Sequence, residues 1–267
     1  MDFEIGFLGY GKMAGAVSQG LDKNGLIPYS RQMASGRDRR KLAAGAGARG
    51  LTLAADNRDL AARSRVLVLG VKPGQVRGVL EELRELINDQ LIISLAAGVR
   101  LEDMRPWLPR GASLVRAMPN VAALAGCGAT LLCASPGTPP ESFALANKIF
   151  ASVGLCLEMD ESLFDAGGAV SGSGPAYFFS FMENMVRGAV RLGLPWDAAK
   201  TLALQTALGS AQTALLNRDR PLAELRDMVT SPGGTTAEAL LVMERAGLGG
   251  IVQEALEAAA EKSKKLG

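Results

Sequence analysis

The run Phe3-Glu-Ile-Gly6-Phe-Leu8-Gly9-Tyr10-Gly11-Lys12-Met13-Ala14-Gly15 decides the fold. Phe3–Leu8 is a short apolar segment of the kind that forms a buried strand, and Met13–Lys23 has the period of a helix. The turn between them carries Gly9-x-Gly11-x-x-Ala14. In a strand-turn-helix of this type the first glycine permits the tight turn and the second lets a pyrophosphate approach the backbone. A small third residue lets helix and strand pack closely. The unpaired N–H groups of the helix start then face the phosphates. Glycine spacing alone also fits an ordinary glycine-rich turn. The position of this one, after the first strand and before the first helix, is what dinucleotide binding requires.

Outward from this turn, apolar runs alternate with helical segments. Val66–Val71, Leu91–Leu95, Leu114–Met118 and Thr130–Cys133 read as buried strands without polar alternation. Asp38–Ala44, Gln75–Leu86 and Leu101–Leu108 read as helices. Repeated strand-helix order implies a parallel sheet covered on both faces. Beyond about residue 160 the strand-like runs stop. Pro175–Leu192, Asp197–Leu216, Leu222–Val229, Ala237–Arg245 and Gly249–Lys265 are helical by pattern, with Pro175 suited to a first turn and Gly193 to a stop. Pro175–Leu192 is apolar nearly all round, which places it in a core or a subunit interface. The expected architecture is an α/β Rossmann-type domain with a mostly parallel sheet over residues 1–162, then an all-α domain over residues 163–267.

The second strand, Arg31–Ser35, ends in Ser35-Gly36-Arg37, with no acid at the first position beyond it. An acid there would hold the ribose 2′-OH of NAD. A hydroxyl, free backbone N–H groups and Arg37 suit a 2′-phosphate instead. Asp38 lies close by, and Arg37, Arg39 and Arg40 also fit a solvated helix start. NADPH is expected ahead of NADH. Two further loops follow buried strands, Val71-Lys72-Pro73-Gly74 and Ala96-Ala97-Gly98. Ligands of open α/β sheets bind outside such strand ends.

Composition narrows the chemistry. The 267 residues carry 29 Lys plus Arg against 27 Asp plus Glu, a formal charge of +2. That balance argues against partners such as nucleic acid or an anionic membrane. There is no histidine, which excludes Ser-His-Asp and Cys-His catalysis, histidine bases and histidine metal sites. Cys127, Cys133 and Cys156 are odd in number and lack Cys-x-x-Cys spacing, so no metal site or disulfide framework is expected. No apolar stretch approaches the roughly 18 residues of a membrane span, and the N-terminus has no secretory pattern. A cytoplasmic protein is expected.

Ser231-Pro-Gly233-Gly234-Thr235-Thr236-Ala-Glu238 precedes an apolar-periodic helix. Thr235-x-x-Glu238 matches a capping box, a purely structural reading. The same residues also suit an anion site, because bare glycine backbone and the N–H groups of a helix start would hold a substrate carboxylate. Both readings stand on the residues alone. Ser171-Gly-Ser173-Gly-Pro175 reads as a hinge before a Pro-started helix. Neither serine is supported as a nucleophile without a base.

Taken together, these residues resemble the pyrroline-5-carboxylate reductase family, essentially end to end. The resemblance is carried by Gly6-Phe-Leu-Gly9-x-Gly11-x-Met13-Ala14, Gln32-Met-Ala-Ser35, Val71-Lys72-Pro73 and Ser94-Leu-Ala-Ala-Gly98-Val. It continues in Arg116-x-Met118-Pro119-Asn120, Ser171-Gly-Ser-Gly-Pro-Ala-Tyr177 and Ser231-Pro-Gly-Gly-x-Thr236, the last two being the most specific. It implies NAD(P)H-dependent reduction of Δ1-pyrroline-5-carboxylate to L-proline, the last step of proline biosynthesis, by a homodimer built on the helical half, often assembled into a decamer.

Carried over by position, the resemblance implies a cofactor site of Leu8, Gly9, Tyr10, Gly11, Lys12 and Met13, of Ser35, Gly36, Arg37 and Asn57, and of Gly70, Val71, Lys72, Pro73, Ala96, Ala97 and Gly98. The implied substrate site is Met118, Pro119 and Asn120 with Ser231, Gly233, Gly234, Thr235 and Thr236. Departures are Val121-Ala122 in place of a common Thr-Pro, Met228 where Asn is usual and Asp219 where some members have Glu.

The reaction expected without histidine is hydride transfer from the cofactor to the C=N carbon of the imine. Thr236 Oγ is expected as the catalytic hydroxyl partner of the imine nitrogen, with backbone N–H groups of Gly233, Gly234 and Thr235 on the carboxylate. A 3-hydroxyacid dehydrogenase is one rival reading, disfavoured because Pro175–Leu192 carries no lysine, and Lys200 sits on the next helix. A non-catalytic NADP-sensing protein is another, disfavoured by the intact Ser231–Thr236 turn.

Overall fold

The computed structural model describes residues 1–265, and the last two residues of the expected helical half lie outside them. In chain order the elements are β1 (Phe3–Leu8), α1 (Lys12–Lys23), β2 (Gln32–Ser35), α2 (Arg39–Gly45), β3 (Thr52–Leu53), α3 (Asn57–Arg63), β4 (Ser64–Leu69) and α4 (Val76–Leu83). Next come β5 (Leu91–Ser94), α5 (Leu101–Met104), β6 (Ser113–Pro119), β7 (Gly128–Ala134), α6 (Pro140–Ala151), β8 (Gly154–Glu158) and α7 (Phe164–Ser171). The remainder is helical: α8 (Gly174–Arg191), α9 (Trp196–Leu216), α10 (Leu222–Met228), α11 (Thr235–Arg245) and α12 (Leu248–Lys264).

The eight strands form one sheet in the order β3-β2-β1-β4-β5-β6-β7-β8. All pairs are parallel except β6·β7. The sheet is thus mostly parallel, as expected, and β6·β7 is its one antiparallel step. The link from Pro119 to Gly128 holds only the 3-10 turn Val121–Ala125. A parallel crossover needs a dozen residues or more, whereas an antiparallel return does not.

Two apolar clusters cover the two faces of the sheet. One gathers Leu8, Leu67, Leu69, Leu80 and Phe164, and the other Ile5, Phe7, Val17, Val68 and Phe150. Alternate β1 and β4 side chains divide between the clusters, which is why these strands show no polar alternation. Truncating a side chain as enclosed as Phe7 or Phe150 costs about 3–5 kcal/mol.

Several sequence boundaries shift. The Val66–Val71 strand ends at Leu69, releasing Gly70 and Val71 into a turn. The Gln75–Leu86 helix is α4 flanked by 3-10 turns Pro73–Gln75 and Arg84–Leu86. The Leu101–Leu108 helix shortens to α5 because Pro106 takes the chain into the 3-10 turn Arg105–Trp107.

The chain divides into two compact units, Met1–Ser173 with Ala259–Gly267, and Gly174–Ala258. In the second unit α8 packs on α9 through Val186, Ala199 and Ala203. Much of α8 is exposed: Phe178 is 67% and Phe179 61% exposed. Apolar surface of this extent marks an interaction site.

Candidate active site

The strand register explains which distant residues meet. Leu8 lies opposite Ser35 on one side and Leu69 on the other, and Leu69 lies opposite Ser94. The chain leaves these four strands at one level. Their following turns therefore converge at the carboxyl edge, around the β1–β4 boundary where the strand order reverses.

Two of these turns stand back to back. Gly9 N–H donates to Ser35 O at 3.0 Å, and Gly70 N–H donates to Leu8 O at 2.9 Å. Gly9 has φ +87°, and a Cβ there would lie 3.0 Å from Gly70 O. Glycine is needed at position 9 for conformation and for space.

Gly11 differs. It is the N-cap of α1 with φ −85°, and a Cβ built on it meets nothing within 4 Å. No side chain caps this helix start, so the first N–H groups of α1 open onto that space. Bare backbone, free donors and the positive end of a helix make a cradle that fits a pyrophosphate.

A cleft of about 800 Å³ extends from the cradle. Gly9, Tyr10 and Gly11 line one side, Gly36 and Arg37 the end beyond β2, and Gly70, Val71 and Lys72 the facing turn, with Asn57 among them. A contiguous hollow of about 300 Å³ shares Gly11, Gly70 and Val71 and adds Lys12, Met13, Ala97, Met118 and Pro119. Most of the predicted cofactor residues, and the predicted substrate residues Met118 and Pro119, thus line adjoining spaces.

Others act from below the surface. Leu8, Ser35 and Ala96 are buried. Ser35 Oγ donates to Asn57 Oδ1 at 2.8 Å, and Asn57 Nδ2 donates to Glu82 Oε2 at 3.2 Å, so Asn57 is held from both ends. Pro73 opens a 3-10 turn whose Gly74 and Gln75 line the cleft, and Gly98 ends its loop at φ +78°.

The basic run resolves into distinct jobs. Arg39 donates to Ala54 O at 2.5 Å, whereas Arg37 lines the cleft. Asp38 caps α2 by accepting from Lys41 N–H at 3.0 Å. That bond holds its carboxyl below the usual carboxylate range. The acid beside Arg37 is thereby tied to its own helix, and Lys41, which the sequence did not single out, joins Arg37 and Lys72 as a third cation lining the cleft.

Asn120 is committed within the fold. Its Nδ2 donates to Ser171 O at 2.9 Å, and its Oδ1 accepts from Ala129 N–H at 3.1 Å. Nearby, Arg116 pairs with Glu161 at 2.8 Å while its guanidinium sits 4.8 Å from the Phe164 ring centre. Glu161 also accepts from Leu101 N–H at 2.9 Å. Arg116 thus pins α5 and the start of α7 to the sheet.

In the second unit, Ser231–Gly234 is a turn with Gly234 N–H donating to Ser231 O at 3.0 Å. Pro232 and Gly233, the latter at φ +68°, occupy the positions a type II turn prescribes for these residues. A Cβ at Gly234 would run into Ser231 Oγ. The capping box expected from Thr235 and Glu238 does not form. The N-cap is Gly234, one residue earlier, and Thr235 and Thr236 lie inside α11 without capping it. The turn geometry starts the helix, and both hydroxyls are spared.

Residues 161–266 match the family model described as "Pyrroline-5-carboxylate reductase dimerisation", and residues 4–98 match "NADP oxidoreductase coenzyme F420-dependent". A curated pyrroline-5-carboxylate reductase from Pisum sativum is 37% identical over 265 residues, covering 99% of this chain and 96% of the relative. The chain belongs to the pyrroline-5-carboxylate reductase family. Among solved structures, the pyrroline-5-carboxylate reductase of Coxiella burnetii matches with TM-score 0.92 at 38% identity, covering 100% of this chain and 99% of that one. The Plasmodium falciparum pyrroline carboxylate reductase with NADP bound matches with TM-score 0.89 at 30% identity, covering 100% and 98%. Membership disfavours the hydroxyacid dehydrogenase reading. It also gives the exposed α8 face an explanation in the family's dimerisation region.

Proposed function

We propose that this chain reduces Δ1-pyrroline-5-carboxylate to L-proline with NAD(P)H, NADPH being preferred, in the last step of proline biosynthesis. The observation that carries the reading is the end-to-end likeness to pyrroline-5-carboxylate reductases in a chain that keeps the cradle over Gly11. The accompanying assembly is a cytoplasmic homodimer, extended to a decamer. The homodimer is supported by the exposed apolar face of α8 and by the dimerisation match. Among the described residues no helix is long and apolar enough to cross a membrane. The catalytic division is residues 1–162 for the cofactor and 163–267 for substrate and dimerisation.

NAD(P)H held in the cleft supplies the hydride. The α1 N–H groups over Gly11 would hold its pyrophosphate, and Gly36 and Arg37 would receive a 2′-phosphate, with Ser35 beneath them fixing Asn57. Asn57, Lys72 and the Ala96–Gly98 loop bound the remainder of the nucleotide. Met118 and Pro119 close the side of the inner hollow.

For the substrate, the α11 start supplies N–H groups to the carboxylate. Gly234 N–H is taken by Ser231 O, so Gly233, Thr235 and Thr236 carry this role. Thr236 Oγ meets the imine nitrogen and passes a proton from water or stabilises one already bound. Orientation of donor and acceptor carbons at about 3–3.5 Å is the main contribution of these groups.

The test is NADPH oxidation with pyrroline-5-carboxylate, against a 3-hydroxyacid with NADP as the rival assay. Turnover of the imine alone is expected, and its absence overturns the reading. Thr236→Ala should lower kcat by about 10²-fold, in the range of a lost proton-transfer partner, while NADPH affinity is kept. Unchanged kcat and KM for the imine remove Thr236 from the mechanism.

A further inference from the structure

Tyr10 fills the variable position of Gly9-x-Gly11, yet its hydroxyl turns inward. It donates to Ser18 Oγ at 2.8 Å, and Ser18 Oγ donates to Gln32 Oε1 at 2.6 Å. Gln32 Nε2 donates to Ser18 O at 3.1 Å and to Ile27 O at 2.8 Å. Ser18 and Gln32 are both fully enclosed. The direction of the chain is forced: two carbonyls fix the amide nitrogen, so the amide oxygen faces Ser18. Ser18 must then donate to it, which leaves Ser18 to accept from Tyr10. Every donor has an acceptor, the condition under which a buried network rigidifies its surroundings.

The ring joins the same assembly. It stands edge-on to Phe7 with centroids 5.7 Å apart. A Cβ on Gly15 would lie 3.7 Å from the ring, and one on Gly45 would lie 3.5 Å from it. Gly15 belongs to α1, and Gly45 to α2, the helix that begins just after Arg37. One side chain therefore ties the pyrophosphate turn to α1, to β2 and to the helix beside the 2′-phosphate end of the cleft. Burial raises the phenol pKa, so the hydroxyl remains a donor at neutral pH.

We propose that Tyr10 is a positioning residue for the dinucleotide, holding the Gly9–Gly11 turn in its receiving shape through the Ser18–Gln32 chain while making no contact with the reacting ring. This rests on the cofactor reading above.

The test uses the full chain, with NADPH titrated directly against the protein and steady-state kinetics alongside. Tyr10→Phe keeps the ring and removes the donor. Losing one neutral hydrogen bond from the preorganisation of the loop should raise Kd and KM for NADPH by about three- to ten-fold, with kcat at saturating NADPH unchanged. Ser18→Ala should give a similar rise, and the double variant no more than either alone, because both cut one chain. Ser18→Ala also carries the test if Tyr10→Phe does not fold. An unchanged Kd in a folded variant, a loss confined to kcat, or additive losses in the double variant overturn the proposal. A wild-type chain that fails to bind NADPH overturns the cofactor reading itself.

Discussion

Gly11→Val separates the fold's needs from the ligand's. Position 11 sits at φ −85°, ψ −172°, extended backbone that valine adopts readily, and no atom lies within 4 Å of its Cβ. Valine is a poorer N-cap than glycine by about 0.5–1 kcal/mol. Reduced freedom of the unfolded chain offsets this by about 0.4–1 kcal/mol. Stability should therefore move by no more than about 0.5 kcal/mol. The cofactor fares differently. The new side chain fills the space in front of the Lys12, Met13 and Ala14 N–H groups. Losing two charge-assisted hydrogen bonds to the pyrophosphate, at about 1.5–3 kcal/mol each, amounts to about 3–6 kcal/mol. At 1.4 kcal/mol per decade that is about 10²- to 10⁴-fold weaker binding. Gly9→Val is the control, because φ +87° and Gly70 O at 3.0 Å make it costly to the fold itself. Thermal unfolding and NADPH titration of both variants supply the assay. A Gly11→Val protein that binds NADPH within three-fold of the wild type at full stability would refute the cradle.

Arg37→Ala should weaken NADPH by about ten-fold while leaving NADH nearly unchanged, as expected for one charge-assisted contact to a 2′-phosphate. Equal losses for both cofactors remove that role. At pH 8 a thiol reagent should modify Cys127, which is exposed, and spare the other two. Burial pushes the thiol of Cys133 up to about 12 and that of Cys156 up to about 11, so both stay protonated and unreactive. Rapid labelling of all three in the native protein contradicts the structure. The kcat profile should show no inflection from the substrate-facing groups between about pH 6 and 8, since a threonine hydroxyl and backbone amides do not titrate there. A protein-derived inflection in this range that persists in Thr236→Ala assigns the proton chemistry to a different arrangement.

How much of this was legible in the sequence depends on the range of each signal. The Phe3–Ala14 unit was readable because strand, turn and helix start all lie within a dozen residues. β3 escaped notice because it is only Thr52–Leu53, and β8 because its apolar run, Leu155-Cys156-Leu157, is only three residues long. The antiparallel step of β6·β7 was hidden because strand-like composition carries no direction. Direction came from the connection length. At the site, Arg37 was visible, but its separation from Asp38 was not, since that depends on Asp38 bonding Lys41 N–H. Asn120 and Arg116 stood out as a motif, while their partners Ser171 and Glu161 lie 51 and 45 residues further on. No local pattern reports such pairs.

The two helices assigned to anions share one construction. α1 starts at Gly11 with φ −85°, ψ −172°, and α11 starts at Gly234 with φ −83°, ψ 170°, and neither start carries a side-chain cap. α2 and α3 start differently: Asp38 and Asp56 turn their carboxylates onto the N–H groups of Lys41 and Asp59. An aspartate cap satisfies a donor and puts a negative charge where an anion would sit, so such a helix start is closed to phosphate or carboxylate. A glycine cap leaves the donors free and removes the side chain that would block approach. A chain without histidine thus has two open, positively polarised sites suited to the pyrophosphate and the substrate carboxylate, and Thr236 lies one residue inside the second.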